Sequence, residues 1–218
     1  ENIISFPSLQ LSAKEPIHHN ETGSILHVLS ALPRYFYQYS SMPVSGQYLL
    51  YIKDQIKFLN YLEKGLLNNV SIRLDESNPT RSWDTAKALN IAGYNSLIDR
   101  SNARLASLLS NSRLCICTNN FTVFLETLAL NFPTIIFWDP SHHEVRPDAA
   151  TFFDMLEHAE ILFYSPVKAA TKVNDVSSNI DEWWFSDKVQ SARRQFCQRY
   201  ARVSNDWEHE WSNFLLRL

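Results

Sequence analysis

The chain has 218 residues, 45% of them hydrophobic, enough to bury one sizeable core or two small ones and too apolar for general disorder. Twenty Lys and Arg stand against 23 Asp and Glu, a net charge of -3 with no dense basic block, which disfavours a nucleic-acid partner. No apolar run approaches the roughly 18 residues of a membrane span, so any membrane contact is expected to be peripheral. Of the three cysteines, Cys115 and Cys117 are expected on opposite faces of one strand, without a disulfide or joint zinc site, and a reducing cytoplasm fits best. The first residue is Glu1 rather than Met, and a fragment of a longer protein is the expectation.

Residues 1 to about 22, with Pro7, Pro16 and the polar "HHNETG", show no sustained periodicity and are expected to be a linker or lead-in. Next, 24–32 predicts a buried strand, and 45–65 a helix with Leu49, Ile52, Ile56, Leu59 and Leu62 at helical spacing, closed by Gly65. A strand at 69–77, a short helix at 83–90 and a further strand at 94–101 follow, then a helix after Ser101. The apolar run 113–117, the helix 121–131 and the apolar run 133–138 suit strands covered on both faces. Past a polar loop come a helix at 148–160, a strand at 161–165 and a helix at 165–176 with Ser at its cap and Pro in its first turn. The remainder is helical, with Val189, Ala192, Phe196, Tyr200 and Val203 on one face and Trp207, Trp211, Phe214 and Leu218 on another.

About six strands alternating with helices predict an α/β fold, a doubly wound, mostly parallel Rossmann-like sheet over 23–180, with a helical C-terminal tail at 181–218. Ligands are expected beyond the carboxyl ends of the strands. The four glycines lie too far apart for a dinucleotide fingerprint or a P-loop, and no nucleophile elbow is present.

The segment "CTNNFTVFLETLALNFPTIIFWD" (117–139) carries the strongest positive signal. Thr118 or Asn120 is a candidate cap for the following helix, whose free amides make an anion site. Thr122 and Glu126, four apart, share a face near that end, where Glu126 suits either ribose hydroxyls, or else the helix dipole or a pair with a nearby Arg. Arg73 ends a strand on the ligand side, able to hold a phosphate or a sugar carboxylate, or else to pair with Asp75 or Glu76. His142, His143, Glu144 and Arg146 fill the loop after the next strand; a histidine there could protonate or steady a leaving phosphate, and the spacing does not suit a metal site. Trp83 is weighed as a base-stacking residue against simple packing, and Trp183 and Trp184 are expected to pack.

Thr118, Asn120, Thr122, Glu126 and Pro133 together resemble the C-terminal nucleotide-binding domain of GT-B glycosyltransferases. More narrowly, "TNNFTVFLETLALNFPTIIFWDPSHHEVR" with the later "DEWW" and "ARRQFCQRYA" resembles a family of bacterial surface-polysaccharide transferases, from O-antigen and capsule clusters, that is similar in turn to Kdo transferases. The resemblance covers roughly residues 70 to 215 and implies one half of a GT-B fold, with a missing N-terminal domain for the acceptor glycan. It implies no tightly bound cofactor and a nucleotide-sugar donor, CMP-sugar favoured and UDP-sugar possible. Donor contacts are implied for Arg73, Thr118, Asn119, Asn120, Thr122, Glu126 and Arg146, with His142, His143 and Glu144 as catalytic candidates. "TNNF" replaces the usual glycine-rich phosphate loop, so helix amides with Asn and Thr side chains are expected to meet phosphate. The rival functions are a nucleotide-sugar epimerase or hydrolase using the 142–144 cluster, and a non-catalytic nucleotide-binding module.

Overall fold

The structure, a computed structural model, describes residues 5–35, 41–74 and 82–216. Within them β1 (Ser24–Val28), β2 (Val70–Arg73), β3 (Ser112–Cys117), β4 (Thr134–Phe137) and β5 (Leu162–Phe163) form one sheet in the order β2-β1-β3-β4-β5. Every pairing is parallel. The helices before β4 are α1 (Leu9–Ser12), α2 (Tyr48–Tyr61), α3 (Lys64–Leu67), α4 (Thr85–Ile91), α5 (Leu105–Ser110) and α6 (Thr122–Ala129). After it come α7 (Pro147–His158), α8 (Pro166–Val176), α9 (Ile180–Trp184), α10 (Asp187–Tyr200) and α11 (Trp207–Leu215). The Rossmann-like α/β expectation is met, with five strands among the described residues where about six were expected.

The central strands are apolar throughout because both faces are covered. On one face Ile25, Leu114, Ile116, Ile135 and Phe137 pack under α2 and α8, against Phe58, Leu59 and Val173. On the other, Leu26, Val28, Cys115, Cys117 and Ile136 meet α6, α7 and α10 through Phe124, Leu156 and Phe196. Cys115 and Cys117 therefore share a face, contrary to expectation. Side chains alternate with period two, so residues two apart project together, and the sulfurs lie 3.8 Å apart as free thiols.

Three local expectations change for identifiable reasons. The 94–101 segment is not a strand: a 3-10 turn at Asn95–Leu97 leads to a single parallel bridge between Ile98 and Ile72, and the Asp99 side chain then takes the Ser101 amide and turns the chain away. α2 stops at Tyr61, short of Gly65, because Asn174 from α8 donates to the Tyr61 carbonyl and accepts from the Glu63 amide. The predicted strand at 69–77 ends at Arg73, and its last three positions lie outside the described residues.

From Ser5 onward the lead-in lies against the fold as a strap. Its α1 lies by α11, the Trp211 indole donates to the Pro7 carbonyl at 3.0 Å, and the Phe6 ring lies 4.8 Å from that of Trp211. At its far end the Asn20 amide bonds the Ser112 carbonyl, and the chain enters β1 through Gly23. A Cβ there would lie 2.4 Å from the Asn111 carbonyl oxygen, so only glycine fits this approach. Among the described residues no helix is long and apolar enough to cross a membrane.

Candidate functional site

Chain order and strand order part company at β1. The chain runs from β1 out to the edge strand β2 and returns to β3 on the other flank of β1, which opens a crevice at the carboxyl ends. A cavity of about 1030 Å3 occupies it. Its walls include Val28 at the end of β1 and Leu29 to Ala31 after it, Arg73 and Leu74 at the end of β2, Asp99, Arg100, Asn102 and Ala103 from the turn described above, and Asn119 with Phe121 to Val123 after β3. The volume is ample for a nucleotide-sized ligand.

Among the described residues the charged groups at the wall are Arg73, Arg100 and Asp99. Arg73 spends one N–H on the Ala103 carbonyl at 3.3 Å, which ties the 99–103 turn to the end of β2. Its other expected partners, Asp75 and Glu76, lie outside the described residues. Asn102 sits in the turn with φ of 51°, a left-handed conformation that asparagine tolerates better than most residues.

The other wall is the start of α6. Phe121 occupies its N-cap position in extended conformation and no side chain caps it, so the positive end of the helix faces the cavity with Thr122 and Val123 at its lip. Neither Thr118 nor Asn120 is the cap. Thr118 is fully buried and donates instead to the Val28 carbonyl at 3.0 Å. The Asn119 carboxamide takes the Phe121 amide at 2.9 Å and gives a hydrogen bond to the Ser30 hydroxyl, which joins the two loops on the cavity floor.

Three of the expected donor contacts, Arg73, Asn119 and Thr122, thus meet around one cavity; Thr118 and Asn120 do not line it. Glu126 lies one turn further along α6, outside the lining. Its carboxylate is held by the Lys14 ammonium of the strap at 2.6 Å, an ion pair with a lysine remote in the chain rather than with the nearby Arg weighed as its partner.

The loop after β4 is a separate place. His143 is buried against the Trp138 ring, 5.6 Å between centroids, with Nδ1 3.3 Å from the Asp139 carbonyl, and burial pushes its pKa down to about 4. It is neutral at pH 7 rather than poised near neutrality. His142 approaches the Asp139 carboxylate at 3.8 Å, and both histidines border a small void of about 10 Å3 with Asp54, Gln55, Tyr51 and Thr118. Hydrogen bonds from the Ser141 hydroxyl and amide hold Asp139 below the usual carboxylate range. Glu144 is exposed and its carbonyl accepts from Ser41, while Arg146, with its side chain 84% exposed, pairs with Asp148 at the start of α7. None of the four reaches the cavity. Among the described residues no three His, Cys, Asp or Glu side chains are grouped to hold a metal ion.

Trp83 also resolves as packing: its ring stacks on Tyr48 at 4.9 Å with 3° between planes. Ser30, Asp99, Arg100 and Asn102 went unnoticed in the sequence. Ser30 falls inside the strand expected at 24–32, which ends at Val28, and the turn at 99–103 reaches the cavity through the bridge to β2.

Fold and cavity define a Rossmann-like protein with a ligand-sized, partly cationic crevice at its topological switch point. The chain belongs to the LIC12162 family of transferases, whose family model matches residues 1–215. No curated protein matches the sequence.

Proposed function

We propose that this transferase binds a nucleotide sugar in the cavity and is the donor-binding half of a GT-B-type glycosyltransferase of bacterial surface-polysaccharide synthesis. The observation that carries it is the meeting of Arg73 with the uncapped start of α6 across one cavity at the β1–β3 switch point. An anionic diphosphate or monophosphate suits that pair of positive groups. As the glycosidic bond to the donor phosphate breaks, charge grows on the departing phosphate, and a guanidinium and a helix dipole already aimed there stabilise it without reorganisation. CMP-Kdo is the favoured donor and a UDP-sugar the second choice. The acceptor glycan would be held by an N-terminal domain, and any contact with a membrane would be peripheral on the cytoplasmic side.

Epimerase or hydrolase chemistry gains less support, because its acid-base candidates His142, His143 and Glu144 lie outside the cavity. A non-catalytic nucleotide-binding module would use the same contacts without turnover.

A calorimetric screen of CMP, UDP, GDP and ADP tests the assignment. One nucleotide should bind, and Arg73→Ala should weaken it about 10- to 100-fold, the scale of a charge-assisted contact. If Glu126 serves the ribose hydroxyls, Lys14 competes for the same carboxylate. Lys14→Ala should then tighten binding about two- to five-fold while Glu126→Ala weakens it. Failure of all four nucleotides to bind, or an unchanged affinity in Arg73→Ala, would overturn the proposal.

A further inference from the structure

Two loops form the cavity floor, and a side chain from outside the cavity joins them. Tyr51, on α2, is 4% exposed and does not line the cavity. Its hydroxyl accepts the Ser30 amide at 2.9 Å and lies 2.9 Å from the Thr118 hydroxyl. Thr118 spends its own proton on the Val28 carbonyl, so the proton between the two hydroxyls belongs to Tyr51. A one-way chain results: Ser30 amide to Tyr51 oxygen, Tyr51 hydroxyl to Thr118, Thr118 hydroxyl to the last residue of β1. Burial pushes the Tyr51 phenol up to about 12, which keeps it a donor at any physiological pH.

We infer that Tyr51 is a positioning residue for the ligand: it locks the loop after β1 to the loop after β3, so that Ser30, Asn119 and the first amides of α6 are already set when a nucleotide arrives. The Asn119 carboxamide completes the lock by donating to the Ser30 hydroxyl while accepting from the Phe121 amide. Without Tyr51 the Ser30 amide loses its partner, and ordering the two loops is charged against binding. This role rests on the nucleotide reading of the cavity.

Tyr51→Phe keeps the ring and removes only the hydroxyl. With the tightest binder among CMP, UDP, GDP and ADP, its dissociation constant should rise about ten-fold at a temperature well below the variant's melting point. Amide exchange should quicken at Ser30 and Phe121. Thr118→Val cuts the same chain and should act alike, whereas Thr118→Ser, which keeps a hydroxyl, should retain near-native affinity. A purely structural Tyr51 would lower the melting temperature and leave the affinity of the folded variant unchanged, which overturns the inference. If Tyr51→Phe does not fold, undiminished affinity in Thr118→Val overturns it equally. A native chain that binds none of the four probes removes the nucleotide reading and this role with it; native binding with unaltered variants removes the role alone.

Discussion

Acidification from neutrality to about pH 4 is expected to strip a large share of the stability from this fold through two buried histidines. His27 is fully buried on β1 between Phe58 and Phe137, with Nε2 3.1 Å from the Gln55 carboxamide oxygen and Nδ1 without a partner among the described residues. Desolvation drives its pKa down to about 4, and His143 is lowered to about 4 by the same cause. Both folded values lie below the ordinary 6.5, so the unfolded chain takes up these protons first as pH falls. Stability is therefore fully present above about pH 6.5, falls through the window down to about pH 4, and levels off once both states are protonated. Each histidine removes on the order of 3 kcal/mol across that window, against a total of roughly 5–15 for a typical domain. Urea unfolding at a series of pH values between 7.5 and 4, all about the window just given, should trace this decline. His27→Asn should unfold more easily at neutral pH yet show a shallower slope; an unchanged slope would remove His27 from the account.

The second large effect is expected at Trp184, which is fully buried where α9 meets the end of α6. Its indole N–H is shared between the Asn131 carbonyl at 3.0 Å and side-chain oxygen at 3.1 Å, and Gln190 reaches the same side chain at 3.0 Å. Arg193 meanwhile donates to the Leu128 carbonyl at 2.9 Å, which also accepts the Asn131 amide at 3.1 Å at the end of α6. The tail thus grips the helix whose other end faces the cavity. Trp184→Ala should cost about 3–5 kcal/mol in urea unfolding, the scale of a large cavity in a packed core. Trp184→Phe keeps most of the ring and should lose about 1–2 kcal/mol with the hydrogen bond. Loss of less than 1 kcal/mol in the alanine variant, well under the usual cost, would show the tail to be a loose appendage.

Much of the architecture was legible because it is written in local pattern. Continuous Ile, Cys and Phe runs at 113–117 and 133–138 mark strands covered on both sides, and Ser165 with Pro166 marks the start of α8, where the serine accepts the Lys168 amide. At the site the same logic identified the end of β2 and the start of α6, and hence Arg73, Asn119 and Thr122 at one cavity. It did not show that Glu126 is paired with Lys14, 112 residues away, or that the chemistry-bearing residues of the 142–146 loop face their own void or solvent. A polar side chain near a strand end signals chemistry in a sequence. Which way it turns depends on neighbours remote in the chain.

By itself the sequence determined the kind of protein: a parallel, two-sided sheet, the carboxyl-end side where the cavity lies, and the helix start after β3. Those follow from periodicity and backbone propensity, which act over a few residues. Tertiary structure decided the strand order that opens the cavity between β1 and β3, the end of α2 at Asn174, the strap that lays Lys14 on Glu126, and the Tyr51 lock beneath the cavity floor. Each is a contact between groups tens of residues apart, set by which buried donors and acceptors the packed core brings together.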